Sequence, residues 1–210
     1  MSKDPDLESA YRIQSADDNI RFYRDWARTY DSDFVEGTTY QFPRIVAHTY
    51  LEQGGTWPCL DVGCGTGAIG AFMPDDSIVD GLDISQEMLA VAREKGRYRT
   101  LFSANLKKTL DIEDETYSGL VSSGTFTHGH VGPEALPELA RVLRQGGLAI
   151  ITVKPEIWES EGFSQTFDLM VADGLISRPR IEETRVYADA NKAPEGHGDD
   201  TGFIVAFRKA

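Results

Sequence analysis

Residues 60–67 read LDVGCGTG, three alternating glycines directly after a short apolar run that carries a carboxylate, Asp61. A chain that must leave a strand and turn at once needs backbone dihedrals that side chains resist, and glycine supplies them. The same bareness lets a ligand approach the main chain, and a helix opening after such a turn points its first N–H groups outward. Gly63, Gly65 and Gly67 therefore mark a ligand seat, outside the carboxyl ends of the strands of an open α/β sheet.

The flanking sequence supplies that sheet. CLDV (59–62), IVDGLDI (78–84), YRTLFSA (98–104), SGLVSS (118–123) and LAIITV (148–153) are short apolar runs alternating with helix-length segments, the pattern of βαβ units around a parallel sheet. Asp17 and Asp18 can cap a helix to about Tyr30. Phe42, Ile45, Val46, Thr49 and Tyr50 share one face of a helix near 41–53, stopped by Gly54-Gly55. Ser85 is placed as the N-cap of a helix over 86–95, with Gly96 beyond it. Leu136, Leu139, Ala140 and Leu143 mark a helix that starts at Pro133 or Pro137 and ends at Gly146-Gly147. Phe163, Phe167, Met170 and Val171 mark another, ended by Gly174. RPRIEETRVYA (178–188) and TGFIVAFRKA (201–210) read as a terminal hairpin. The expected fold is α/β: a Rossmann-like seven-stranded, mostly parallel sheet with its last strand antiparallel and helices on both faces. The expected organisation is a single domain, with N-terminal cap helices over 1–53, a cofactor-binding core over 57–155, and a C-terminal helix and hairpin over 156–210.

Composition narrows the partners. The 210 residues carry 21 Lys plus Arg against 34 Asp plus Glu, a net charge of −13, which repels nucleic acid and anionic membranes at long range. No basic patch interleaved with aromatics appears, so no nucleic-acid partner is expected. No run approaches the roughly 20 apolar residues of a spanning helix, so no membrane partner is expected either. Two cysteines, Cys59 and Cys64, imply no disulfide framework. With no apolar leader at the acidic N-terminus, the expected compartment is the cytoplasm.

Asp83 ends the next strand in GLDIS, 20 residues after Gly63. A carboxylate there accepts hydrogen bonds from both hydroxyls of a ribose, whether of a dinucleotide or of another nucleoside cofactor. Gly63, Gly65 and Ala68 match the GxGxxA dinucleotide fingerprint. Asp61 argues the other way: it repels a diphosphate on this loop and attracts a cofactor that presents an ammonium. S-Adenosyl-L-methionine has that ammonium, a sulfonium and an adenosine ribose.

These stretches together resemble class I S-adenosylmethionine-dependent methyltransferases. LDVGCGTG is similar to the first motif of the family and GLDIS with Met88-Leu89 to the second. SANL (103–106) stands where the family reads adenine, and LARVLRQGGLAIITV resembles its final helix–strand motif. FYRDWARTYDSDF (22–34) resembles the cap helix of the Williams–Beuren-region methyltransferase-like subgroup. The resemblance covers roughly residues 20–155. It implies backbone at Gly63 and Gly65 facing the methionine part, Asp61 reaching the ammonium, and Asp83 holding the ribose. Ile84 and Met88 would then pack on adenine. Asn105, where the family often has Asp, would take the adenine amino group, and the N–H of Leu106 a ring nitrogen. Ser122 and Ser123 would border the methyl, with Tyr30 and Trp26 closing the site from the cap.

Methyl transfer from a sulfonium needs donor and acceptor held in line more than it needs a nucleophile. His128 and His130, in SSGTFTHGHVGP after the fourth strand, are the candidate catalytic bases. No metal site is expected. SSGT stands where nucleobase amino-methyltransferases often carry Asn/Asp-Pro-Pro-aromatic. The expected activity is thus methyl transfer to O or N of a small-molecule acceptor by a monomer or homodimer. Its pocket would be shaped by 124–132, the cap and residues 155–170, where Phe126, Trp158, Phe163 and Phe167 either line the pocket or fill core. A non-catalytic cofactor-binding or interaction protein of the same fold is the alternative, and a nicotinamide oxidoreductase a third.

Overall fold

The computed structural model describes Arg24 and residues 26–210. The N-terminal part of the expected cap helix, with Asp17, Asp18, Ile20 and Tyr23, lies outside the described residues. From Asp31 to Glu36 the chain makes a single π-helical turn. The elements that follow are α1 (Phe42–Glu52), β1 (Cys59–Val62), β2 (Val79–Asp83), α2 (Gln86–Glu94), β3 (Thr100–Ser103) and β4 (Tyr117–Phe126). After them come α3 (Leu136–Val142), β5 (Leu143–Val153), α4 (Pro155–Ser160), α5 (Phe163–Ala172), β6 (Arg180–Arg185) and β7 (Thr201–Arg208).

The seven strands form one sheet in the order β3-β2-β1-β4-β5-β7-β6. β1 to β5 run parallel, and β7 is antiparallel to both of its neighbours, β5 and β6. The order reverses at β1: the chain winds outward to β3, then returns to start β4 on the other side of β1. The crevice at that switch point is where an open α/β sheet binds its ligand.

The central strands are buried on both faces, and alternate residues feed two cores. On one face Leu60, Val62, Ala149, Ile151 and Val153 meet α3, α4 and α5. On the other, Cys59, Leu148 and Ile150 meet α1 and the cap. Tyr50 of α1 is wholly buried, and its ring occupies the space a Cβ would need at Gly55 and Gly119. Its hydroxyl donates to the carbonyl of Thr56. At the opposite end of β2 from Asp83, Asp80 accepts two hydrogen bonds from Arg99 (2.9 and 2.5 Å) and one from the hydroxyl of Tyr117 (3.0 Å).

Three elements depart from the expectation. No α-helix follows the glycine turn: residues 65–69 form turns and only Gly70–Phe72 makes a 3-10 turn. The ring of Tyr98 lies where a Cβ at Gly70 would sit, and Pro74 ends the segment four residues on, so there is no room for a regular helix. The helix placed up to Gly146 ends at Val142, because Leu143 already pairs with Tyr117 in the sheet. The short helix α4 carries no long apolar period and was not legible.

Candidate functional site

A cleft opens at the carboxyl ends of β1, β2 and β4, with about 1030 Å³ of empty space counted to its mouth. Its wall includes Tyr30, Asp61, Gly63, Gly65, Asp83, Ile84, Met88, Asn105, Leu106, Ser123 and His130, bringing together most of the residues singled out in the sequence.

The floor is the glycine turn. All three glycines have positive φ, but they differ in what surrounds them. A Cβ on Gly63 would fall 2.2 Å from Thr125 Oγ1, and one on Gly67 would meet the ring of Tyr98 at 2.8 Å. A Cβ on Gly65 would meet nothing within 4 Å. Gly63 and Gly67 are therefore fixed by packing, and Gly65 presents bare backbone to the cleft.

Two carboxylates flank this floor. Asp61 is fully buried, and its Oδ2 accepts from the hydroxyl of Tyr98 at 2.7 Å. Its Oδ1 has no hydrogen-bond partner among the described residues. Burial pushes the carboxyl up to about 7; the Tyr98 hydrogen bond opposes this and the charge of Asp83 adds to it. Asp83 accepts from the N–H of Ser85 (2.8 Å) through Oδ1 and from the N–H of Gly65 (2.9 Å) through Oδ2. Burial raises its carboxyl above the ordinary range against these backbone bonds. The N–H of Gly65, expected to face a ligand, is thus committed to Asp83, while its Cα stays open. Ser85 caps α2 by accepting from the N–H of Met88 (3.2 Å), which seats Met88 against the cleft.

The cap is latched to this floor. Thr66 Oγ1 donates to Asp31 Oδ1 at 2.6 Å, and Lys95 from the end of α2 pairs with the other oxygen of Asp31. On the far side Asn105 Oδ1 accepts from the N–H of Lys107 (2.9 Å), closing a tight turn that holds Leu106 on the wall.

Two expected site residues are displaced. Ser122 is wholly buried, its hydroxyl donating to the carbonyl of Val62 at 2.7 Å, and it does not line the cleft. Successive side chains on a strand point to opposite faces, so Ser123 alone turns outward, at a break in the β4–β5 register. His128 lines no part of the cleft; its carbonyl meets Nδ1 of His130 at 2.9 Å. Only an N–H can satisfy that carbonyl, so the neutral His130 ring carries its lone pair on Nε2. Burial lowers the His130 pKa, favouring that neutral form. Among the described residues no group of three or more His, Cys, Asp or Glu is placed to hold a metal ion.

A second cavity, about 600 Å³, adjoins the first, and Tyr30, Tyr40, Gly124 and His130 belong to both walls. Its other walls are largely aromatic, and Trp26 lies here instead of over the main cleft. Phe126 lines it, whereas Trp158, Phe163 and Phe167 stack on one another within the opposite core and line neither space. Sequence reasoning missed Tyr98, Tyr40 and Tyr187. Each is brought in by tertiary packing, and none stands in a recognisable motif.

Known proteins resemble this chain in sequence and in fold. The family described as Methyltransferase domain matches residues 60–151. The phosphatidylethanolamine N-methyltransferase of Cereibacter sphaeroides is 32% identical over 136 residues, which cover 62% of this chain and 65% of that protein. The chain thus spans just under two thirds of that relative. A solved structure from Methanococcus maripaludis, assigned to the S-adenosylmethionine-dependent methyltransferases, superposes with TM-score 0.63 at 18% identity, over 89% of this chain and 93% of that one. The S-adenosylmethionine-dependent methyltransferase of Mesorhizobium loti gives 0.56 at 18% identity, over 80% and 98%. The 4+2 cyclase SpnF gives 0.58 at 17% identity, over 89% and 96%, so the fold alone does not fix the reaction. Residues 60–151 match the methyltransferase-domain family, and the chain has the fold of the S-adenosylmethionine-dependent methyltransferase structures on which it superposes.

Proposed function

We propose that the protein transfers a methyl group from S-adenosylmethionine to N or O of a small acceptor. One observation carries the reading: Asp61 is a fully buried carboxylate with one oxygen left over, beside the bare backbone of Gly65. A buried acceptor without a partner is costly, and a ligand cation relieves it. A diphosphate in the same place would be repelled, which sets the nicotinamide reading aside.

The residues fit the cofactor. Asp61 Oδ1 would accept from its ammonium, and Asp83, held rigid by two backbone N–H groups, keeps lone pairs for the ribose hydroxyls. Ile84, Met88 and Leu106 would cover the adenine, with Asn105 at its edge, while Ser123 and Tyr30 border the reacting end. When bound, the cofactor supplies a methyl on a sulfonium, an activated leaving group. The chain's part is to hold the acceptor in line and exclude water, which good positioning can make worth several kcal/mol. His130, on the wall shared with the second cavity, would take the acceptor's proton on Nε2 where one must leave.

Support for nitrogen over oxygen comes from the Cereibacter sphaeroides relative, which by its name methylates an amine. Calorimetric titration with S-adenosylhomocysteine and with NADH tests the proposal. Micromolar binding of the first and none of the second is expected, with Asp83→Ala weakening binding by roughly 1–3 kcal/mol. No heat with S-adenosylhomocysteine, or tighter binding of NADH, refutes it. Turnover of an acceptor then separates an enzyme from a non-catalytic binder.

A further inference from the structure

We propose that the second cavity is the acceptor site and that the acceptor is a cationic aliphatic amine, already partly methylated or ready to be. This rests on the methyl-transfer reading of the neighbouring cleft and adds the chemistry of the other substrate.

The cavity is built from rings set at steep angles. Trp26 and Tyr30 lie edge to face, with centroids 4.9 Å apart and planes at 81°. Trp26 and Phe34 are inclined at 61°, and Phe34 and Tyr187 at 83°. Tyr40 meets Tyr187 at 57°. These five rings, inclined to one another, wall one space. A purely apolar acceptor needs only aliphatic walls. A box of tilted rings is what holds an alkylammonium, whose diffuse charge sits over the negative faces while its methyls make van der Waals contact.

The polar atoms of the wall agree. Thr127 is buried, and its Oγ1 has no hydrogen-bond partner among the described residues; it can accept an amine N–H. Lys154 is the one Lys or Arg among the described residues of the wall. Its ammonium lies 3.1 Å from Asp200 Oδ2, which His197 Nδ1 also meets at 2.9 Å. That carboxylate offsets the Lys154 charge, so it presents no bare cation to repel the substrate. The net charge of −13 draws cations toward the protein.

The rings converge because segments remote in sequence are tied together. The N–H of Gln41 donates to the carbonyl of Val186 (3.1 Å), and the N–H of Ala188 to that of Thr39 (3.1 Å). These bonds bring Tyr40 against Tyr187. The cofactor cleft and this cavity lie side by side, sharing Tyr30, Tyr40, Gly124 and His130 as a common wall.

In the reaction the amine first gives up its proton, to His130. Its lone pair then forms the N–C bond as the C–S bond breaks and that electron pair stays on sulfur. The charge lost from sulfur reappears on nitrogen, and one proton is released per methyl transferred. A tertiary amine ends as a quaternary ammonium, the species the ring box holds best.

Protein saturated with S-adenosylhomocysteine is titrated with choline and with its uncharged isostere, 3,3-dimethylbutan-1-ol. Choline is expected to bind at least tenfold tighter. Phe34→Leu and Trp26→Leu should each weaken choline at least fivefold and leave S-adenosylhomocysteine within twofold. If a variant fails to fold, the wild-type pair of ligands still decides. In a second arm, labelled methyl transfer is followed to free N,N-dimethylethanolamine and to vesicles of N,N-dimethylphosphatidylethanolamine; whichever is labelled identifies a soluble amine or a lipid headgroup as the source. Equal affinity for choline and the alcohol, no choline binding, or no label in either amine overturns the inference. Provided S-adenosylhomocysteine binds, the methyltransferase reading survives that result; if it does not bind, both fall.

Discussion

Replacing Tyr98 with Phe removes one oxygen from the protein and tests how Asp61 works. The hydroxyl donates to Asp61 Oδ2 at 2.7 Å and accepts from the N–H of Gly70 at 3.3 Å. It is the interaction that holds the buried carboxyl down to about 7 against desolvation. A hydrogen bond to a charged group contributes about 1.5–3 kcal/mol. At 1.36 kcal/mol per pH unit, its loss moves the titration of Asp61 upward by about one to two pH units. At pH 7 the wild-type carboxyl is about half ionised, whereas in the variant about 1–10% is. Because an ammonium ligand needs the ionised form, S-adenosylhomocysteine should bind roughly 5- to 50-fold more weakly at pH 7. In wild type the affinity should rise about tenfold from pH 6 to pH 8. In Tyr98→Phe most of the rise should move above pH 7.5, and in Asp61→Asn it should vanish. Isothermal titration at pH 6, 7 and 8 reads all three. A folded Tyr98→Phe with wild-type affinity at every pH would refute the reasoning.

The same carboxyl predicts a pH-dependent stability. Its folded pKa of about 7 lies above the unfolded value of 3.8, so the folded state prefers the proton. Stability is full below about pH 4 for this group and is lost as pH rises toward 7, by up to about 4 kcal/mol. Urea midpoints between pH 4 and 8 should show the slope, and Asp61→Asn should flatten part of it; Asp83, also raised, retains the rest. Gly63→Ala should destabilise the protein by more than about 2 kcal/mol, since the new Cβ strikes Thr125 at a φ of +65°. Gly65→Ala meets open space, so it should cost only about 1 kcal/mol of stability while cofactor affinity falls; thermal melts and titration separate the two.

Much of the cleft wall was readable because it is written locally. Asp83 ends β2 and Asp61 stands one residue before the end of the neighbouring β1, each within two residues of a glycine or a helix cap, and strands that stop at a switch point bring their final residues to the crevice. Ser122 shows where local reading stops. Which of two neighbouring serines faces the cleft depends on strand parity and on a register break that the sequence does not mark. His128 and His130 differ for a similar reason, since the turn after β4 directs one inward and uses the carbonyl of the other to fix its tautomer.

By itself the sequence determined the strand–helix alternation, the parallel sheet with its antiparallel seventh strand, and the two carboxylates beside a glycine turn. Those follow from periodicity and backbone freedom, which act over a few residues. Only the tertiary structure decided that Gly65 is open while Gly63 and Gly67 are packed shut, that Tyr98 satisfies half of Asp61, and that Tyr40 and Tyr187, 147 positions apart, share a cavity wall. Each of those depends on which surfaces meet when the sheet closes on its cap and hairpin, and burial, the quantity that sets the charge state of Asp61, exists only once they have met.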